Sequence, residues 1–355
     1  MPVVHKIDRN NNMGLVRYIL ALGVMISHFN LLCGGDIVWI VDSYDAVSGF
    51  FTLSGFLLIY PILRGKSLRQ YLVDRAWRLL PSYLFVVTVF AVGLSTVSSL
   101  PPAEYFASTE FWKYLGVNLL SLNFLQPVLP GVFEGLPIEA VNGSLWTIKI
   151  EWQLSLTMPF IILFIKYCRF NFRRAVIAIL IVSLIYRTYL WYMFDITGKE
   201  IYEILARQLI GQLVFFYSGI FIYTYYEHLR RNLLKTIIIA SAILIALRLI
   251  PYMPACQEYI YPFALSVAVI GFSLIPKDLG KMIDGGNNIS YEIYLCHFPV
   301  MQLLAWWRTE EKIGMWATFA CALALTVAAA VITYLCVGNL YMKRKSRALG
   351  AVTTK

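Results

Sequence analysis

Long apolar runs separated by short polar joints dominate the chain. The runs fall at about residues 14–33, 47–63, 79–97, 144–165, 175–194, 205–226, 236–250, 260–275, 288–307 and 315–335. A helix rises about 1.5 Å per residue, so roughly 20 apolar residues cross the hydrocarbon core of a bilayer. The pattern predicts an all-α fold: a polytopic membrane helical bundle of about ten spans, forming a single domain over residues 1–355. One joint is long, from Ser98 to Gly143. Its centre, Phe111 to Phe124, is too short to span and is expected to lie in the interface or to re-enter. Pro127 to Pro137, with Gly131 and Gly135, reads as a breaker-rich loop.

Composition strengthens this picture. Hydrophobic residues make up 59% of the chain and charged ones 14%, against about 25% charged in soluble proteins. No stretch remains for a soluble domain. The net charge of +10 is explained by topology rather than by nucleic acid. With the N-terminus in the cytoplasm, 21 of the 30 Lys and Arg lie on the cytoplasmic side, and only Lys113, Lys199, Arg308 and Lys312 lie outside. That asymmetry is the positive-inside signature. It gives a cytoplasmic tail at 1–12, an extracytoplasmic loop at 98–143, a basic cytoplasmic tail at 341–355, and a bacterial cytoplasmic (inner) membrane as the expected location. The first span lacks a small-x-small cleavage site and carries Arg17 and His28, which argues against a signal peptide. The six Cys lie mostly within spans as small apolar residues. Cys33 and Cys256 both fall near the external side, where an oxidising compartment would allow them to pair.

Polar residues inside spans stand out because a charge at the bilayer centre costs about 2.5–3.5 kcal/mol on insertion scales. They are Arg17, His28, Lys149, Glu151, Arg187, Arg207, Arg248, Glu292 and His297. Arg207 and Arg248 are near span ends and can snorkel, whereas Arg187 and Glu292 are deeper and have no partner legible in the sequence. Eleven residues separate Arg17 from His28, three turns plus about 20°, so both project from one helix face about 16 Å apart. Glu151 and His297 fall at depths comparable to that of His28. A carboxylate beside an imidazole would fix its tautomer and raise its basicity, as a general base for a hydroxyl requires; an interhelical hydrogen bond is the bland use of the same histidine. No His-x3-His spacing points to a metal.

Five segments, in order, carry a family resemblance: Arg17-x10-His28; Phe50-Phe-Thr-Leu-Ser54-Gly55-Phe-Leu57; Arg75-Ala-Trp-Arg78-Leu-Leu-Pro81; Gly143-Ser-Leu-Trp146-Thr147 followed by Glu151; and Ser290-Tyr-Glu-Ile-Tyr294-Leu-Cys-His297-Phe-Pro299. Together they resemble the acyltransferase 3 family of integral membrane O-acyltransferases. The resemblance implies transfer of an acyl group, usually acetyl from acetyl-CoA, to a hydroxyl of an extracytoplasmic glycan or glycolipid. It implies His28 as the essential histidine, Arg17 as its partner, Arg75 and Arg78 as donor-binding arginines, and Glu151 as the acidic residue after the Trp. Trp146, Ser54 and His297 are candidate acceptor-side residues. Pro81 is expected in the first turn of a new helix, aiming the two arginines. The rival class is a secondary transporter or polysaccharide exporter, which would show two similar halves with paired broken helices; no such symmetry is visible.

Overall fold

The computed structural model describes residues 3–8, 10–250, 254–277 and 279–340. Cys256 and the Lys343 to Arg347 basic tail lie outside what is described at the side-chain level. Among the described residues, ten long helices occupy the ten apolar runs: α1 (Met13–Cys33), α2 (Ser43–Leu63), α3 (Leu68–Gly93), α4 (Trp146–Cys168), α5 (Phe172–Thr197), α6 (Leu209–Thr224), α7 (Leu233–Leu249), α8 (Pro254–Ser273), α9 (Ser290–Trp306) and α10 (Met315–Thr333). No strand occurs among the described residues. Among the described residues, seven helical segments are long and apolar enough to cross a membrane: those built on α1 to α6 and on α10. The chain is an integral membrane protein. The helices α7 and α9 have 17 residues each.

One sequence expectation is corrected. The third helix begins at Leu68, so Pro81 lies inside it and not in its first turn. Leu, Arg, Gln and Ala are good helix formers, and they carry the helix through the basic joint into the membrane. Arg75 and Arg78 therefore stand on a continuous helix, three residues apart on neighbouring positions of one face.

The chain packs as two compact units. The first comprises residues 1–20, 44–72 and 150–288. Here α5 packs on α6 and α8, and α7 on α8. Small residues let backbones meet: a Cβ on Gly55 would lie 1.9 Å from the Phe216 carbonyl oxygen, and one on Gly219 2.1 Å from that of Thr52. The close crossing of α2 and α6 thus depends on both glycines, as expected where lipid supplies no hydrophobic drive. Polar side chains tie the rest: Thr52 to Ser266 at 3.0 Å, and Thr157 to Tyr217 at 2.8 Å. Arg187, fully buried, donates from Nε to Glu258 Oε2 at 2.5 Å. Arg248 pairs with Asp45 at 2.5 Å, and Arg207 pairs with Glu203 one turn away.

The second unit comprises residues 21–43, 73–149 and 289–355. Met25, Phe29 and Cys33, four residues apart on α1, form a stripe that packs against Val300, Met301 and Leu304 of α9 and Ala322 of α10. Cys33 is a free thiol in this seam. The 98–143 connection folds over this unit. Helix Thr109–Leu119 is capped by Ser108, and Tyr83 donates to the Asn118 carbonyl at 2.5 Å. Trp112, Leu120 and Phe124 remain exposed, which suits a segment lying at the interface.

Candidate functional site

The second unit brings two of the candidate residues together. His28 sits at the edge of the α1 stripe, next to Phe29, and His297 is buried in the middle of α9. His28 Nδ1 lies 2.8 Å from His297 Nε2, with the rings 22° from parallel. On its far side, His297 Nδ1 lies 2.7 Å from the Tyr294 carbonyl oxygen. A carbonyl only accepts, so His297 carries its hydrogen on Nδ1, and in the neutral ring Nε2 offers a lone pair. The hydrogen between the rings then belongs to His28 Nδ1, which leaves His28 Nε2 as a bare lone pair. The other arrangement needs an imidazolium at His297, a charge at 1% exposure whose desolvation is expensive. The rings of Phe298 and His28 make a T-shaped contact at 5.1 Å between centroids.

An imidazole with one nitrogen held and the other free is the geometry of a general base. The sequence suggests a carboxylate for the holding role; on Nδ1 the structure has a second imidazole. Pairing across 269 residues leaves no trace in local spacing. The available signal was that both histidines are expensive in lipid at comparable depths.

Glu151 and Ser54 are also brought together, in the first unit: Ser54 Oγ donates to Glu151 Oε1 at 3.1 Å. The neighbouring Gly55 serves helix packing, so the Ser-Gly pair divides its work. Arg17 is half-buried on α1, in the first unit. Arg75 and Arg78 are half-buried on α3, and the Arg78 guanidinium stands over the Tyr291 ring at 5.7 Å. Trp146 opens α4, directly after the turn Gly143–Leu145, and is half-buried. Lys149 stacks its ammonium on Phe124 at 4.8 Å. The two deep charges acquire partners: Arg187 has Glu258, and Glu292 accepts from Ser82 Oγ at 2.8 Å. Among the described residues, no group of three or more His, Cys, Asp or Glu could hold a metal ion.

A family model described as an acyltransferase domain matches residues 10–335, nearly the whole chain. The chain belongs to the acyltransferase 3 family. O-acetyltransferase OatA of Staphylococcus aureus is 24% identical over 359 aligned residues, covering 90% of this chain and 55% of the relative. Nodulation protein 10 of Rhizobium leguminosarum bv. viciae is 27% identical, over 44% of this chain and 46% of its own length. An O-acetyl transferase of Shigella phage Sf6 is 26% identical, over 41% and 43%. The chain thus spans about half the length of the curated relatives it matches. No solved structure matches it.

Proposed function

We propose that the protein is a membrane O-acyltransferase that moves an acetyl group from acetyl-CoA, entering on the cytoplasmic side, to a hydroxyl of an extracytoplasmic or envelope carbohydrate. The observation that carries this reading is the His28–His297 contact with its fixed hydrogen. His28 Nε2 takes the proton of the acceptor hydroxyl as that oxygen attacks the thioester carbonyl. The tetrahedral adduct expels the CoA thiolate, which takes the proton back from His28, so the products are an ester and free CoA. His297 keeps hold of Nδ1 throughout and steadies the transient imidazolium, the part an aspartate plays in a hydrolase triad. Arg75 and Arg78 supply planar, charge-assisted contacts for the phosphates of the donor. Arg17, on the His28 face of α1, is the partner of His28, and Glu151 is the acidic catalytic residue after the Trp; Trp146 and Ser54 are on the acceptor side. In this reading ten spans cross a bacterial inner membrane and both termini are cytoplasmic, which puts the basic joints where the positive-inside rule wants them.

The test is acetyl transfer by the purified full-length chain in liposomes supplied with radiolabelled acetyl-CoA and envelope glycolipid. Alkali-labile label on the glycolipid is expected with the wild type and is expected to vanish in His28→Ala, a loss of about 10³-fold or more. Label transferred at the wild-type rate by His28→Ala would contradict the mechanism, and no label from the wild type would contradict the activity.

A further inference from the structure

The fifth motif contains an unexplained break. Pro299 lies inside α9 and has no N–H, so the carbonyl four residues earlier, that of Leu295, loses its helical donor. This carbonyl is buried, where an unsatisfied acceptor is expensive. A residue far away in the chain supplies the missing hydrogen: Asn142 Nδ2 donates to the Leu295 oxygen at 2.9 Å. The carboxamide cannot turn round, because its Oδ1 accepts from the Ser144 N–H at 3.2 Å and from Ser144 Oγ at 2.7 Å. Asn142 is therefore fixed at both ends, and it is itself buried.

The clamp sits one residue from the catalytic relay. The carbonyl preceding that of Leu295 belongs to Tyr294, and it is the one that holds His297 Nδ1. The Tyr294 side chain points back into the same segment as Asn142: its hydroxyl meets Thr147 Oγ1 at 2.6 Å and the Ser144 carbonyl at 3.1 Å. A third contact closes the joint. A Cβ on Gly143 would lie 2.7 Å from the tip of the Phe298 ring, the ring that makes a T-shaped contact with His28. The stretch from Asn142 to Thr147 is thus seated on the break in α9 from both sides.

We infer that Asn142 is a positioning residue for the histidine relay: its amide replaces the N–H that Pro299 lacks and so holds the Tyr294 carbonyl, His297 and the His28 tautomer in line. The effect on rate rests on the acyl-transfer reading; the effect on the tautomer does not. That separation sets the experiment. Full-length protein with 15N-labelled histidine is studied in bilayers, and the His28 signal is compared in wild type, Asn142→Asp and Asn142→Asp/Pro299→Ala. Asn142→Asp keeps the shape but removes the donor, so the single Nδ1–H tautomer of His28 is expected to become a mixture. In the same variant kcat for acetyl transfer should fall about tenfold with KM for acetyl-CoA unchanged. Pro299→Ala restores a helical N–H to Leu295, so the double variant should return to one tautomer. An unmixed tautomer in Asn142→Asp, or a mixture that persists in the double variant, would overturn the assignment. If Asn142→Asp is not recovered folded, Asn142→Ala is read in both backgrounds: folding regained with Pro299→Ala supports the clamp, and failure in both overturns it. Full activity in His28→Ala would remove the acyl-transfer reading and leave the clamp to be judged on the spectra alone.

Discussion

Each unit of the molecule holds a conspicuous polar pair, and the two pairs are built in opposite ways. In the first unit, Arg187 and Glu258 meet as full charges. The guanidinium is enclosed by the rings of Tyr44 at 5.1 Å, Phe215 at 5.2 Å and Trp191 at 5.7 Å. Charge is met by charge and by aromatic faces, and the guanidinium is wholly enclosed; this is a brace across α5 and α8. In the second unit, His28 and His297 meet as neutral rings, and the chain of hydrogens from His28 through His297 to the Tyr294 carbonyl runs in one direction only. One nitrogen remains free at its end, on a residue that is half-buried and not sealed. Being costly in lipid marks both pairs; only the second keeps a reactive atom in reserve. Expense alone therefore finds candidates, and the hydrogen-bond direction separates a brace from a candidate base.

The largest effect that would break this comparison is on the brace. Removing one partner of a buried ion pair strands the other, so Glu258→Ala should destabilise the protein by about 3–5 kcal/mol. Replacing both, as in Arg187→Met/Glu258→Leu, should recover most of that loss. Thermal unfolding in detergent measures both, and acetyl transfer per folded molecule should be unchanged. Equal destabilisation in the single and double variants would show that the pair is more than a brace. Next in size is His297→Ala, which leaves His28 in place but frees its tautomer. Transfer should drop about 10²-fold, with thermal stability changed far less than in Glu258→Ala. A His297→Ala protein that is strongly destabilised but turns over normally per folded molecule would make the relay merely structural.

Much of the scaffold could be read directly, because a helix in lipid satisfies nearly all of its backbone groups internally and the apolar runs are long. Ten runs became ten helices, and Arg17, His28, Glu151, Arg75 and Arg78 could be named from the cost of charge and from a family resemblance. What escaped was whatever depends on distant partners. The helix α3 starts ahead of its apolar run because its basic joint is helical despite its charge, which puts Pro81 in the helix interior. Glu258 could not be matched to Arg187, nor Ser82 to Glu292, since residues 71 and 210 apart share no local period. Pro299 was in view throughout, yet it announces only that a carbonyl lacks a donor; that Asn142 is the donor depends on how the 142–147 turn lies on α9.

A smaller effect sharpens the contrast between enclosed and accessible charge. Arg78 is half-buried and stacked on Tyr291. In the proposed role it holds donor phosphate at the aqueous interface, so Arg78→Ala should weaken acetyl-CoA binding about tenfold, and Arg78→Lys should restore only part of it. Added salt should weaken the wild-type affinity in the same direction, since exposed charges are screened. Titration of purified protein reads all three, and unchanged affinity in an Arg75→Ala/Arg78→Ala protein would return these arginines to a topological role.

The claim on which the account turns is that His28 presents a bare Nε2 because His297 accepts from its Nδ1. The 15N spectrum of histidine-labelled wild-type protein in bilayers at neutral pH measures this directly. For His28 it should show a protonated Nδ1 and an unprotonated Nε2, with the Nδ1 signal losing its hydrogen-bond shift in His297→Ala. A His28 protonated on Nε2, or a Nδ1 signal indifferent to the removal of His297, would contradict it.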